Sequence, residues 1–339
     1  MWDLHHCKNA VSRETEMAPR MNEVLEKART AGVLIVHAPS SCMKPYEGTP
    51  ARERAETAPA APRLPDKIGE WCKQIPAEEM AVYPLDQSDG GEDDDPAKHA
   101  AWAKELEAKG LNPKAPWTKQ IDTLRIDQSK DVISDSGVEI WNLLESKNID
   151  NVILMGVHLN MCVSGRPFGL RQMAKNGKHV VLMRDLTDTM YNPARWPFVS
   201  HTRGTELFTQ HVERLICPTI TSDQLIGGQP FAFSDATAGK KRLQIILLGD
   251  STTEASFPKR YAADEPQFED MLRVKLATEG DLPPCDVYNE GVSGEFIRRL
   301  LAEEGLSFRF EHDQSATAGD DTPHARHQLI LFDRDTELP

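Results

Sequence analysis

The stretch NVILMGVHLNMCVSG, residues 151 to 165, carries one cysteine directly after a run of apolar residues. The run reads as a buried strand, and Cys162 falls where that strand gives way to a helix beginning near Val163. In an open parallel sheet, ligands bind beyond the carboxyl ends of the strands. A helix start at that place lowers a thiol's pKa and offers backbone N–H groups to a developing oxyanion. The chemistry on offer is nucleophilic attack on a carbonyl carbon. Position alone leaves a second reading equally open, because a free cysteine at a strand end is commonly just a small core residue.

The elements that must position Cys162 read as alternating helices and strands. Met17, Met21, Val24, Leu25 and Ala28 share one face of a helix over MAPRMNEVLEKARTAG, and Gly32 stops it. VLIVHAP is a buried strand ended by proline. Residues 44–118, rich in Pro, Ala and charge, form a long excursion with a short strand near AVYPL. Within it, QSDGGEDDDPAKH lacks the alternating ligands and closing Glu of a calcium loop and reads as a solvated loop. Order returns with a helix over SGVEIWNLLESKNI, in which Ile140, Leu143 and Leu144 turn inward. The strand NVILMGVH, a helix over SGRPFGLRQMAKNG, the strand HVVLMRDLT and a helix over TRGTELFTQHVERLI follow. Strands that are apolar throughout, each followed by a helix, predict a parallel Rossmann-like sheet covered on both faces.

Composition bounds what such a site serves. The 339 residues have room for two ordinary domains. Thirty-nine basic against 53 acidic residues give a net charge of −14, which excludes nucleic acid and anionic membrane surfaces as expected partners. The longest apolar runs, VILMGV and IILLG, are strand-sized and far short of a membrane span. No basic-plus-apolar leader opens the chain, so it reads as cytoplasmic, and a leader upstream of Met1 would change that to export. Six cysteines (Cys7, Cys42, Cys72, Cys162, Cys217, Cys285) lack paired spacing and read as reduced thiols. The expected partner is a small molecule, without a cofactor, and homo-oligomerisation stays open.

GVHLNMCV, followed by GLRQMAKNGKHVVLMRDLTDT, resembles the isochorismatase-like cysteine hydrolases, a family that includes nicotinamidases. The likeness spans residues 1–232. It rests on a Gly-hydrophobic-x-x-Asn/Asp-x-Cys-Val turn, then a helix, a Gly and a strand ending in Arg-Asp. It implies a three-layer α/β/α sandwich with a parallel Rossmann-like sheet. It also implies that Cys162 attacks an amide-type carbon and forms a thioester that water hydrolyses. The backbone N–H groups of His158 and Cys162 would form the oxyanion hole, with a cis Val157–His158 peptide.

The family's other catalytic groups are harder to place. Its general base is an Asp ending the first strand. Aligned on Met1, that Asp falls one residue before the chain, and the apolar strand carrying it is missing as well. The expectation is a sequence that starts late. Asp3, the nearest remaining carboxylate, either substitutes as base or caps the next turn. The family's Lys aligns with Ser129, and a one-residue shift makes Lys130 the candidate. His5, His6, Cys7 and His37 offer zinc chemistry. No carboxylate stands where nicotinamidases carry one, and adjacent histidines in an extended segment point opposite ways. His5 and His37, with Asn160 and Arg166, are therefore read as lining a substrate pocket, without a metal. Arg166, Arg171 and Arg184 either hold a substrate carboxylate or form helix salt bridges.

Residues 233–242 read as a linker, and LQIILLGDSTTEASFP opens a second, incomplete α/β unit over 243–310. Its Gly-Asp-Ser after a strand, with VYNEGVSGEF further on, resembles the first two blocks of SGNH/GDSL esterases. By that resemblance Ser251 is a nucleophile and the Gly294 amide an oxyanion donor, with Asn289 in the second block. The Asp-x-x-His block that supplies the base has no counterpart. Residues 311–339 read as an irregular tail, in which His324 is the remaining base candidate. Two rival functions stand beside the cysteine hydrolase: an esterase acting on carbohydrate or lipid through Ser251, and a non-catalytic small-molecule-binding domain.

Overall fold

The computed structural model describes residues 1–234, 243–247, 272, 285–289 and 330–332. Contacts within the chain separate two units, one of Met1–Arg195 with His201–Asp235 and one of Trp196–Ser200 with Ala236–Pro339. No helix among the described residues is long and apolar enough to cross a membrane.

The first unit is a mixed α/β fold built on parallel strands. Helix α1 (Lys8–Thr30) buries Ala10, Met17, Ala18, Met21, Val24, Leu25 and Ala28 along one face. It begins well before the apolar stripe anticipated at Met17. Cys7, at the N-cap, offers no side-chain hydrogen bond. Asp94 supplies the cap from across the chain, accepting from the Lys8 N–H at 2.6 Å and the Asn9 N–H at 2.8 Å. Gly32, at φ +80°, takes the left-handed position just past the helix.

Strand β1 (Val36–His37) pairs parallel with β2 (Val132–Ile133), in the register Val36↔Val132. Strand β3 (Asn151–Val157) pairs parallel with β4 (His179–Asp188), and β4 with β5 (Thr219–Ile220). The expected continuous sheet is thus two separate parallel pieces among the described residues. VLIVHAP forms only the two strand residues of β1, and AVYPL forms no strand. Among the described residues β3 pairs only with β4, and Ile153 is 48% exposed despite its apolar sequence. α1 spans both pieces: its stripe packs in one core with Ile35 beside β1, Met155 and Val157 of β3, and Met183 and Leu186 of β4. Each fully buried Met, Val or Leu of that core contributes roughly 1.5–3 kcal/mol.

The remaining helices fit their local sequence. The excursion over 44–118 holds α2 (Pro50–Glu56), capped by Thr49, and α3 (Pro96–Ala108), capped by Asp95 with Pro96 in its first turn. Helix α4 (Gly137–Ser146) is capped by Ser136 and turns Ile140, Leu143 and Leu144 inward as predicted. Helix α5 is only Leu170–Lys175, while α6 (His201–Leu215) and the short α7 (Asp223–Ile226) flank β5.

In the second unit, β6 (Leu243–Leu247) pairs parallel with β7 (Cys285–Asn289) and antiparallel with β8 (Ile330–Phe332). β8 lies in the stretch expected to be an irregular tail. Asn289 ends β7, whereas Ser251, Gly294 and His324 lie outside the described residues.

Candidate active site

β3 ends at Val157, the Val157–His158 peptide is cis, and the chain enters a π turn over Leu159–Val163 that contains Cys162. The His158 carbonyl accepts from the Met161 and Val163 amides at 3.0 and 3.1 Å, and the Cys162 carbonyl accepts from the Arg166 amide at 3.1 Å. Ser164 Oγ donates to the Leu159 carbonyl at 2.5 Å. The helix expected from Ser164 onward breaks off after Gly165 and resumes at Leu170. Gly169 lies so close to the turn that a Cβ there would sit 2.7 Å from the Val163 carbonyl oxygen. Single π turns concentrate at functional sites.

Cys162 is half-buried, while Cys7, Cys42, Cys72 and Cys217 are buried. Burial pushes the Cys42 thiol up to about 11 and the Cys217 thiol up to about 12. Burial and the neighbouring Asp93 raise Cys7 as well. Those three thiols hold their protons at neutral pH.

Nearby lies a buried charge network that joins α1, the acidic run, the end of β4 and the start of α6. Arg13 Nε reaches Asp188 and Arg13 Nη1 reaches Asp93, each at 2.7 Å. His201 Nε2 meets Asp188 at 2.8 Å, and its Nδ1 lies 3.2 Å from Asp93. Burial opposes every charge here, yet His201 and Arg13 hold both carboxyls far below the usual carboxylate range. Asp188, helped by the Asp93 carboxylate that accepts from His201, raises His201 to about 9 against the same burial.

Beside this network stands a pair of unequal character. Glu14 on α1 and His158 at the head of the cysteine turn are 3% and 2% exposed, with Oε1 and Nε2 3.7 Å apart. Neither of those two atoms has a hydrogen-bond partner. Burial raises the Glu14 carboxyl to about 8, although the Met1 amine and Arg13 oppose it. Burial lowers His158 to about 3. The His5 ring lies edge-on to His158 at 4.9 Å and against His6 at 4.1 Å, and Trp2 stacks on Trp117 at 4.2 Å.

The predicted site residues divide sharply. Cys162 and His158 share the turn, and His5 packs on His158. Asp3 bonds to a distant turn and not to the next one: its carboxylate accepts from the Thr118 amide and hydroxyl at 2.8 and 2.5 Å and from the Lys119 amide at 3.2 Å. Lys130 is exposed just before β2, lining a cavity of about 350 Å³ with Arg54 and Lys147. Among the described residues neither Asp3 nor Lys130 makes a hydrogen bond or ion pair to Cys162. His37 is buried, with Nδ1 at 3.0 Å from Gln120 and Nε2 at 3.0 Å from Asp131, and these contacts brace the β1–β2 pair. Asn160 is likewise a buried brace, exchanging two hydrogen bonds with the Met190 backbone. Arg166 lies over the Trp71 ring at 4.7 Å. Arg171 forms a buried bidentate pair with Glu78, and Arg184 reaches Thr219 on the surface.

The acidic run is no solvated loop. Asp89 holds Asn192 and Arg195, Asp93 holds Arg13, Asp94 caps α1 and Asp95 caps α3. Cys7, Asp93 and Asp94 approach closely enough to share a cation, yet Cys7 Sγ donates to Asp93 and Asp94 is taken by the α1 amides. Glu14, Arg13, Asp93, Asp188 and His201 were not anticipated. Glu14 had a readable signal, since it stands four residues after Ala10 on the buried stripe of α1.

No family model matches this chain, and no curated protein matches it. Among solved structures it is similar to a cysteine hydrolase from Pseudomonas syringae pv. phaseolicola 1448A, at 14% identity and a TM-score of 0.37, over 65% of this chain and 83% of that one.

Proposed function

We propose that the first unit is a cysteine-dependent hydrolase that opens a C–N, amide-type bond of a small molecule through a Cys162 thioester. The observation that carries this reading is selective accessibility: of five thiols with described side chains, Cys162 alone is not buried, and it stands in a π turn just past a parallel strand. A thiolate there attacks the carbonyl carbon, and the carbonyl electrons move onto oxygen, stabilised by backbone N–H groups of the turn, with His158 and Cys162 as donors. Collapse expels the amine, and water cleaves the thioester. Buried His5 and the half-exposed Arg166–Trp71 pair shape the approach to the sulfur. The esterase reading depends on Ser251, which lies outside the described residues.

The test uses p-nitrophenyl acetate with the full chain. The expected result is a burst of p-nitrophenol with one acetyl group on Cys162 by peptide mass, both abolished by Cys162→Ala. A wild-type protein that carries no acetyl group on Cys162 overturns the proposal.

A further inference from the structure

We propose that Glu14 and His158 form the proton-transfer pair of Cys162, an inference that rests on the nucleophile reading above. The pair is buried, and each partner presents an atom without a hydrogen-bond partner to the other, 3.7 Å away. Orphaned polar atoms of this kind cost about 1–3 kcal/mol each, so two that face each other within one buried pair call for an explanation. His158 belongs to the cysteine turn itself, since its carbonyl accepts from Val163 immediately after Cys162. Glu14 and Cys162 both lie within electrostatic reach of the Met1 nitrogen. Asp3, the rival carboxylate, is occupied by the Thr118–Lys119 turn.

The bond changes balance. The thiol proton passes to the pair and rests on Glu14, while the sulfur lone pair forms the C–S bond and the carbonyl π pair moves to oxygen. Breaking the C–N bond returns that proton to the departing amine. Water then gives a proton to the pair, its oxygen bonds the acyl carbon, and the thiolate leaves and is reprotonated. A carboxyl raised to about 8 is well matched to a thiol for such transfers near neutral pH. The groups facing Glu14 are the Met1 amine, Asp3, Arg13, Asp188 and His158; those facing His158 further include His5, His6 and His201.

The experiment follows acetylation of Cys162 by p-nitrophenyl acetate across pH 6–10 in the wild type, Glu14→Gln and Glu14→Asp, with thermal melts to verify folding. The wild-type rate is expected to show an inflection near pH 8. Glu14→Gln should fall about 100-fold and lose that inflection, and Glu14→Asp should recover part of both. Profiles of Glu14→Gln that superimpose on the wild type overturn the inference while leaving the cysteine reading intact. If Glu14→Gln does not fold, a Glu14→Asp profile identical to the wild type overturns it equally. Failure of the wild type to acetylate at Cys162 removes the underlying reading, and this inference with it.

Discussion

Glu14 occupies one position of a stripe that otherwise buries Ala10, Met17, Ala18 and Met21. Because its folded pKa is raised to about 8, ionisation is penalised only in the folded chain. The stability tied to its proton is complete below the unfolded carboxyl pKa and is lost as pH rises through 8. Glu14→Gln should therefore be the more stable protein at pH 8, by on the order of 2–4 kcal/mol, and urea unfolding at pH 5 and pH 8 measures it. His201, raised to about 9, has the same sign over a higher window: its contribution is complete below about 6.5 and disappears as pH passes 9. Thermal melts of His201→Gln should decline less steeply than the wild type between pH 7 and pH 9, the decline that remains below pH 8 being the Glu14 arm. At this scale the sequence singled out Cys162 as a candidate through the turn that surrounds it. It hid the network, because Arg13, Asp93, Asp188 and His201 are brought together only by folding and carry no local spacing.

The elements repeat that division. Helix α4 was legible because period and cap coincide within one segment, the cap being Ser136. Helix α1 was read short because its cap, Asp94, is supplied from a segment 86 residues away. The acidic run was misread for the same reason, since its partners lie on α1 and beyond β4. Asp94→Ala should cost about 1–2 kcal/mol, with amide exchange quickening first at Lys8 and Asn9. Glu78 anchors the excursion more strongly: it faces Arg171 and His211, all three buried, and their hydrogen bonds hold its carboxyl down to about 2 against burial. Glu78→Ala leaves the buried Arg171 guanidinium without its counter-charge and His211 without its hydrogen-bond partner, and should cost roughly 3–5 kcal/mol in urea unfolding.

Across the first unit, α1 is the bracket between two parallel pieces. Besides its apolar stripe it carries Arg29, which meets buried Asp131 at 2.6 Å, and Asp131 in turn meets His37 of β1 at 3.0 Å. Arg29→Ala should loosen the β1–β2 pair selectively, so that exchange quickens at Val132 and Ser134, whose amides bond to Ile35 and His37, before it quickens in β3. The alternation of strand and helix was legible; the division of the sheet was not, because an apolar strand reads alike whether one edge or two are paired. Everything proposed for the site depends on Cys162 being the reactive thiol of this chain. Native protein treated with substoichiometric iodoacetamide at pH 7, with each cysteine quantified by peptide mass, tests that most directly. Cys162 is expected to react first, about tenfold or more ahead of Cys7, Cys42, Cys72 and Cys217; equal rates, or a buried cysteine reacting before it, would contradict the cysteine mechanism.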